Sequence, residues 1–170
     1  MRKILTATLA AGALSAGVAH SATTITSSFP VTATVQATCS VQANPLGFGT
    51  YTPGGGTITS NSTISVQCTK GTGFTVALNG GTTAGGSIAQ RLMVNGANTL
   101  QYNLYTSAAL GTIFGDGTTG ATVAGTGTGV GVANAQTVTV YGQLPDNPTN
   151  QAAVASGTAY SDLVTVSVTY

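Results

Sequence analysis

The chain has 170 residues, with 24 glycines but only four Lys or Arg, three Asp or Glu and one His. The length suits one domain with a core of its own, and the sparse charge argues against nucleic acid or anionic membranes as partners. The polar surface must consist of Thr, Ser, Asn, Gln and Gly, which offers little charge repulsion against self-association. This suits a protein that assembles, although a merely neutral exported domain is the alternative.

The first residues have the pattern of a secretory signal peptide. Arg2 and Lys3 precede an apolar run that reaches Val18, and the small residue Ser21 stands where cleavage is expected. The run is too short to span a bilayer comfortably, and no second run follows. We therefore expect residues 1–21 to be removed and the rest to be exported without membrane insertion.

Residues 22–38 alternate between apolar and polar side chains. The apolar positions are Ile25, Phe29, Val31, Ala33 and Val35, and Thr, Ser or Gln occupies most positions between them. A period of two predicts a half-buried β-strand. Pro30 interrupts it, which is unusual inside a sheet. Such a strand needs a sheet to join, in its own chain or in a neighbour.

Cys39 and Cys68 are the two cysteines of the chain. In an exported protein the simplest expectation is one disulfide, which would stabilise the fold by roughly 3.5 kcal/mol in the chain-entropy treatment. Two thiols without a histidine after the signal cannot make an ordinary zinc site or an activated catalytic thiol. No metal or cofactor is expected.

The remaining pattern is one of short β-strands cut by turns, with no helical period of useful length. The predicted strands are Cys39 to Ala43, Phe48 to Tyr51, Thr57 to Thr69, Phe74 to Leu78, Arg91 to Val94, Leu100 to Tyr105, Thr137 to Tyr141 and Tyr160 to Tyr170. Asn95-Gly96 favours a hairpin with a type I′ turn. The Gly- and Thr-rich tract from Gly111 to Val132 is expected to be a long surface loop or an edge region. Strands of this number and spacing predict an all-β, immunoglobulin-like sandwich.

The last predicted strand has the clearest two-sided pattern. One face carries Tyr160, Val164, Val166, Val168 and Tyr170, and the other carries Ser and Thr. Asp162 and Leu163 break the pattern near its start. We expect this strand to lie where another protein can bind it.

Motifs for catalysis are weak. A Ser-His-Asp site is not possible without His, and a glycosidase-like pair would need two of Asp116, Asp146 and Asp162 close together. Each of these is better explained by a turn or a backbone contact. Gly115 to Gly120 matches the letters of a dinucleotide loop but lacks the strand and helix that such a loop requires. The six tyrosines leave a sugar-binding face as an alternative, although strand tyrosines more often pack.

Several short motifs together resemble the spore coat protein U domain family. They are Cys39-Ser40-Val41, Leu46-Gly47-Phe48-Gly49-Thr50-Tyr51, Val66-Gln67-Cys68, Arg91-Leu92-Met93, Leu100 to Tyr105, Phe114-Gly115-Asp116-Gly117, Val140-Tyr141-Gly142, and the ending from Gly157 to Tyr170. Phe114 stands where the family often has Trp, and the tract from Gly120 to Val132 looks long. The resemblance covers nearly the whole chain after the signal, with the domain at residues 39–170.

The resemblance implies a major subunit of archaic chaperone–usher pili, fibres on the surface of Gram-negative bacteria. Such subunits are immunoglobulin-like sandwiches that lack a final strand and are completed by donor-strand complementation. A periplasmic chaperone would bind the C-terminal strand, Tyr160 to Tyr170, before an outer-membrane usher passes the subunit into a homopolymer. Residues 22–38 would be the donor segment, inserting Ile25, Phe29, Val31, Ala33 and Val35 into the neighbouring subunit. The same fold leaves a tip adhesin or carbohydrate-binding module and a spore or cell-coat protein as alternatives, whereas an enzyme is the weakest class.

Overall fold

The computed structural model describes residues 21–153, 157 and 159–170. The predicted signal peptide therefore lies, apart from Ser21, outside the described residues. By its contacts the chain divides after Thr34, and every strand of the described residues lies in the part from Val35 to Tyr170.

Two antiparallel sheets form this part. The strands are β1 (Cys39–Ala43), β2 (Ile58–Cys68), β3 (Gly73–Leu78), β4 (Arg91–Asn95), β5 (Asn98–Tyr105), β6 (Val123–Thr126), β7 (Gln136–Leu144) and β8 (Val166–Thr169). The first sheet has the order β1-β2-β7-β5-β4 and the second the order β6-β3-β8. The predicted all-β fold class is confirmed.

The core lies between the two sheets because apolar residues alternate along the strands. Val66 in β2 and Val76 in β3 are fully buried, and Val138 and Val140 in β7 face the same interior. Most of their neighbours in sequence are Thr, Ser and Gln, which the period of two turns outward. Phe114, in the tract expected to be surface, is also fully buried. The same tract also supplies β6, an edge strand of the second sheet, in agreement with the expectation of an edge region.

Arg91 is the one charged side chain that the described residues bury completely. Its guanidinium donates to the backbone oxygens of Asn79 and Phe114 at 2.7–2.9 Å and to Oδ1 of Asn103 at 2.7 Å. Because each N–H finds a carbonyl or amide oxygen, the cation joins β4 and β5 to the end of β3 and to the loop at Phe114. Burial lowers the pKa of Arg91, and the nearby groups Tyr102 and Asp162 oppose that change.

Two local predictions, one of a strand and one of a turn, need correction. Phe48 to Tyr51 is not a strand, since Gly49 has a φ of 74° that breaks extended geometry. The β4–β5 hairpin exists, but its two central residues are Gly96 and Ala97 between the paired residues Asn95 and Asn98. Gly96 has a φ of 57° and Ala97 is not at positive φ, whereas a type I′ turn needs both.

The C-terminal stretch is regular strand only over β8. Ahead of it, Ser161 bridges to Val94 at the edge of the first sheet, whereas Thr165 already pairs with Asn79 beside the second. The predicted strand from Tyr160 to Tyr170 is therefore interrupted because the chain passes from one sheet to the other.

A short helix, α1 (Pro148–Ala153), is not predicted by the sequence pattern. Asn147 accepts a hydrogen bond from the N–H of Asn150, and fully buried Asn150 bonds both backbone polar groups of Gln101 in β5. In the part of the chain that the structure describes, no helix is long and apolar enough to cross a membrane.

Candidate functional site

An open groove of about 470 Å³ lies between the end of β1 and the stretch that leads into β8. Buried residues of both sheets form its floor, and half-buried apolar residues form its rim. The floor consists of Ile64, Leu78, Leu104 and Val140, and the rim of Leu46, Phe48, Met93, Tyr160, Val164 and Val166. The groove thus opens the apolar core to solvent along one side of the sandwich.

The groove is bordered by two edge strands. β1 is the first strand of its sheet and β8 the last of the other, so neither has a second strand partner in the described residues. The outer edges therefore present unpaired backbone groups, as in sheets that accept an added strand.

The orientation of the peptide groups along β8 follows from its pairing with β3. The N–H of Asn79 donates to the oxygen of Thr165, and the N–H of Thr165 donates to Oδ1 of Asn79. Since successive residues of a strand point their peptide groups to opposite sides, those of Val166 and Val168 point to the outer edge. Both valine side chains face the core, so this edge offers apolar side chains and free backbone groups together.

One end of the groove is polar and firmly held. The Asp162 carboxylate accepts hydrogen bonds from the hydroxyl of Tyr102 at 2.7 Å and from the backbone N–H groups of Thr82 and Thr83 at 2.9 and 3.0 Å. Gly81 permits this approach, because a Cβ there would overlap the carboxylate. Burial raises the pKa of Asp162, but these hydrogen bonds outweigh burial and lower it. Asp162 is therefore an anion that anchors the C-terminal stretch.

The predicted donor side chains are exposed. Ile25, Phe29, Val31 and Val35 are 79–92% exposed, and Ala33 is exposed as well. No strand or helix is assigned between Ser21 and Thr38. Large apolar side chains rarely stay in water without a partner, so the segment has the composition of a binding element.

The predicted C-terminal face divides into two parts. Tyr160, Val164 and Val166 line the groove, whereas Val168 packs half-buried against the core beyond it. Tyr170 is 59% exposed. The structure thus brings three of these five residues to the groove.

The predicted disulfide is confirmed. Cys39 and Cys68 are joined at an S–S distance of 2.01 Å and stand opposite each other in the β1–β2 pair. The bond fixes the start of β1, and the last residue of this strand, Ala43, lines the groove.

Sequence reasoning missed several groove residues, two of which lie in a loop and one in a strand. Leu46 and Phe48 lie in the loop after β1, and Phe48 meets Tyr102 edge-on with ring centroids 6.0 Å apart. Met93 comes from β4. Apolar residues set between glycines, as in Leu46-Gly47-Phe48, were a usable signal, since such residues need a core to cover.

The other two aspartates hold loops. Asp146 accepts hydrogen bonds from the Tyr51 hydroxyl at 2.6 Å, from the N–H groups of Gly56 and Gly54 and from the Gln151 amide, and these lower its pKa to about 2. Asp116 accepts from the N–H groups of Thr118 and Thr119, which lower its pKa. Each carboxylate thus satisfies backbone groups of a turn.

Comparison with known proteins gives a family and a fold. The spore coat protein U domain matches residues 25–167, whereas no curated protein matches the chain. One similar solved structure is the crystal structure of the CsuC–CsuE chaperone–tip adhesion subunit pre-assembly complex from archaic chaperone–usher Csu pili of Acinetobacter baumannii. It has a TM-score of 0.55 and 22% identity, and the match covers 81% of this chain but 40% of that one. With the family match spanning most of its length, the chain belongs to the spore coat protein U domain family.

Proposed function

We propose that the chain is a structural subunit of a chaperone–usher pilus that polymerises through its N-terminal segment. Residues 22–38 of one copy enter the groove of the next and complete its sandwich. The observation that supports this most is the groove itself, an opening in the apolar core between two edge strands with unpaired backbone groups.

The segment and the groove are chemically matched. The segment presents apolar side chains at every second residue from Phe29 to Val35, and the groove is lined mostly by apolar side chains. Burying Ile25, Phe29, Val31 and Val35 at about 1.5–3 kcal/mol each gives roughly 6–12 kcal/mol before the cost of ordering the segment. The contact joins two different surfaces, so it repeats from copy to copy as a filament.

The same groove explains the partners that we propose for assembly. Until a neighbour fills it, the subunit exposes apolar core and two strand edges, which favour aggregation. A periplasmic chaperone that lends a strand to the edge of β8 would prevent this, and an outer-membrane usher would exchange that strand for a neighbour's segment. The subunit would thus pass through the periplasm to a fibre on the cell surface. The similar Csu structure, a pre-assembly complex of a chaperone with a tip adhesion subunit, supports this route.

A self-complemented monomer tests the proposal. A copy of residues 24–36 is fused after Tyr170 through a short flexible linker, and the original segment is deleted. We expect a soluble monomer with a much higher melting temperature than the unfused chain without its partners. A fusion with Phe29, Val31 and Val35 of the copy changed to Ser is the matched control and should melt like the unfused chain. Equal stability of the unfused chain and the fusion would contradict the proposal.

Two other roles of the fold have distinct readouts. A tip adhesin would bind glycans or surfaces as the self-complemented monomer, and glycan arrays would detect this. A coat protein would form a layer rather than fibres, which electron microscopy of the cell surface distinguishes.

A further inference from the structure

Pro30 has no evident role in a segment that otherwise alternates regularly. It stands between Phe29 and Val31, two of the side chains assigned to the groove. Proline has no N–H and removes one hydrogen bond from any strand ladder on the side its nitrogen faces. The side to which the nitrogen of Pro30 points depends on the direction in which the segment enters the groove. Such entry is part of the proposed function, and the present inference rests on it.

The peptide groups along the outer edge of β8 determine how an entering strand can pair with it. The side chains of Val166 and Val168 face the core. The peptide groups of Thr165 face Asn79, so those of Val166 and Val168 face the outer edge. An entering strand must bring its apolar residues to the same face as these valines. In Ile25 to Val35 the apolar residues are odd-numbered and Pro30 is even-numbered.

The two directions differ in which residues face β8. In an antiparallel pair, residues that exchange hydrogen bonds stand directly opposite and share a face. Val166 and Val168 would therefore bond to odd-numbered residues, and the nitrogen of Pro30 would point away from β8. In a parallel pair, a residue whose peptide groups face the partner strand bonds to the two residues before and after the one directly opposite it. The valines would then bond to even-numbered residues, and the nitrogen of Pro30 would face β8 with no proton to donate.

We propose that Pro30 selects the direction of insertion by penalising parallel entry beside β8. In the antiparallel arrangement the missing N–H faces the β1 side, where the edge strand spans only Cys39–Ala43 and the groove wall continues as the loop at Asn44 to Phe48. Pro30 is therefore compatible with a complete ladder along β8 in one direction only. It is a residue that determines the specificity of assembly and not a defect of the strand.

A pair of proline substitutions in the full-length chain tests the orientation of the peptide groups. Thr32→Pro places a second proline on the side of Pro30, whereas Ala33→Pro places one on the side that faces β8. We expect fibre yield to change little for Thr32→Pro and to fall about tenfold or more for Ala33→Pro. Thr32→Ala and Ala33→Ser control for the altered side chains. Loss of fibres for Thr32→Pro together with retention for Ala33→Pro would overturn the proposal.

Engineered disulfides report the direction itself. Thr169→Cys is combined with Thr26→Cys, which reports antiparallel entry, or with Thr34→Cys, which reports parallel entry, and cross-linked oligomers are counted on non-reducing gels. We expect the first pair to dominate, and Pro30→Thr to lower the ratio of the two yields about tenfold. The proposal would be overturned if Pro30→Thr left the ratio of the Thr26→Cys yield to the Thr34→Cys yield unchanged. It would also be overturned if, with Pro30 in place, the Thr34→Cys pair gave the higher yield. Fibres from a chain without residues 24–36 would instead refute the proposed function.

Discussion

The hydroxyl of Tyr102 donates a 2.7 Å hydrogen bond to Oδ2 of Asp162 and so joins the middle of β5 to the stretch that leads into β8. Both residues line the groove. Burial raises the pKa of Tyr102, and the bond to Asp162 raises it further, so the phenol stays a donor. The C-terminal wall of the groove is thus held at this end by charge-assisted hydrogen bonds to Asp162 from the Tyr102 hydroxyl, the backbone N–H groups of Thr82 and Thr83 and the Thr83 hydroxyl.

Removing that hydroxyl should weaken the fold measurably. Tyr102→Phe keeps the ring against Phe48 but takes one donor from a half-buried carboxylate, and we expect the free energy of unfolding to fall by about 1.5 kcal/mol. Denaturant titration of the self-complemented monomer measures this. Tyr105→Phe is the control, because its hydroxyl is 3.4 Å from Gln143 and makes a weak bond at most. Equal losses for the two variants would contradict the role of the Tyr102–Asp162 bond.

Acid should destabilise the fold through its aspartates. The native pKa of Asp146 is about 2, against 3.8 when unperturbed, and the pKa values of Asp116 and Asp162 are also lowered. Because a lowered native pKa means that the unfolded chain binds protons more readily, the stabilisation is fully present above about pH 4 and is lost as the pH falls toward 2.

Asp146→Asn tests this pH dependence. The amide cannot titrate, so the free energy of unfolding of the variant should fall less steeply between about pH 4 and pH 2 than that of the wild type. Urea titrations of the self-complemented monomer at several pH values measure the slope. Identical slopes would show that the loop held by Asp146 contributes nothing to the acid response.

Arg91 is a further test of the packing. Arg91→Leu takes the Arg91 donors from the backbone oxygens of Asn79 and Phe114 and leaves Oδ1 of Asn103 with the N–H of Leu104 as its donor, and we expect a loss of about 3–5 kcal/mol. Arg91→Lys keeps the charge but reaches fewer of these acceptors, so the loss should be smaller but still measurable. Thermal unfolding of the self-complemented monomer compares them. A fully stable Arg91→Leu variant would show that the buried cation is dispensable.

The disulfide should contribute to stability without deciding the fold. Replacing Cys39 and Cys68 together by Ala removes a covalent link between β1 and β2, and the loop of 29 residues predicts a loss of roughly 3.5 kcal/mol. The ladder between the two strands remains. Folding of the variant is checked by circular dichroism and its stability by denaturant titration; an unchanged midpoint would contradict the predicted contribution.

Strands with a strict period of two were predictable, and residues held by distant partners were not. β1 and β2 follow directly from their alternation and from the cysteines that begin β1 and end β2. The interruption before β8 was not readable, since it depends on Ser161 meeting Val94 across the molecule. The position of Phe48 in the groove was not predictable either, because it depends on contact with the distant Tyr102 and not on neighbouring residues in the sequence. Asp162 showed in the sequence only as a break in the alternation, and the folded structure supplies Tyr102, Thr82 and Thr83 as its partners.

A charge in the donor segment should abolish fibres when it lies on the apolar face and should be tolerated on the polar face. Val31→Asp or Phe29→Asp would bury a carboxylate in an apolar groove, which costs several kcal/mol and so removes most of the expected insertion energy. Thr32→Asp places the same charge on the opposite face, where it stays in water, and should leave fibres intact. Fibre yield by sedimentation and electron microscopy measures both, and binding to the proposed chaperone, which we expect to involve the C-terminal strand, should survive in all three variants. Normal fibres from Val31→Asp, or loss of fibres from Thr32→Asp, would show that the alternating apolar residues are not the face that enters the groove.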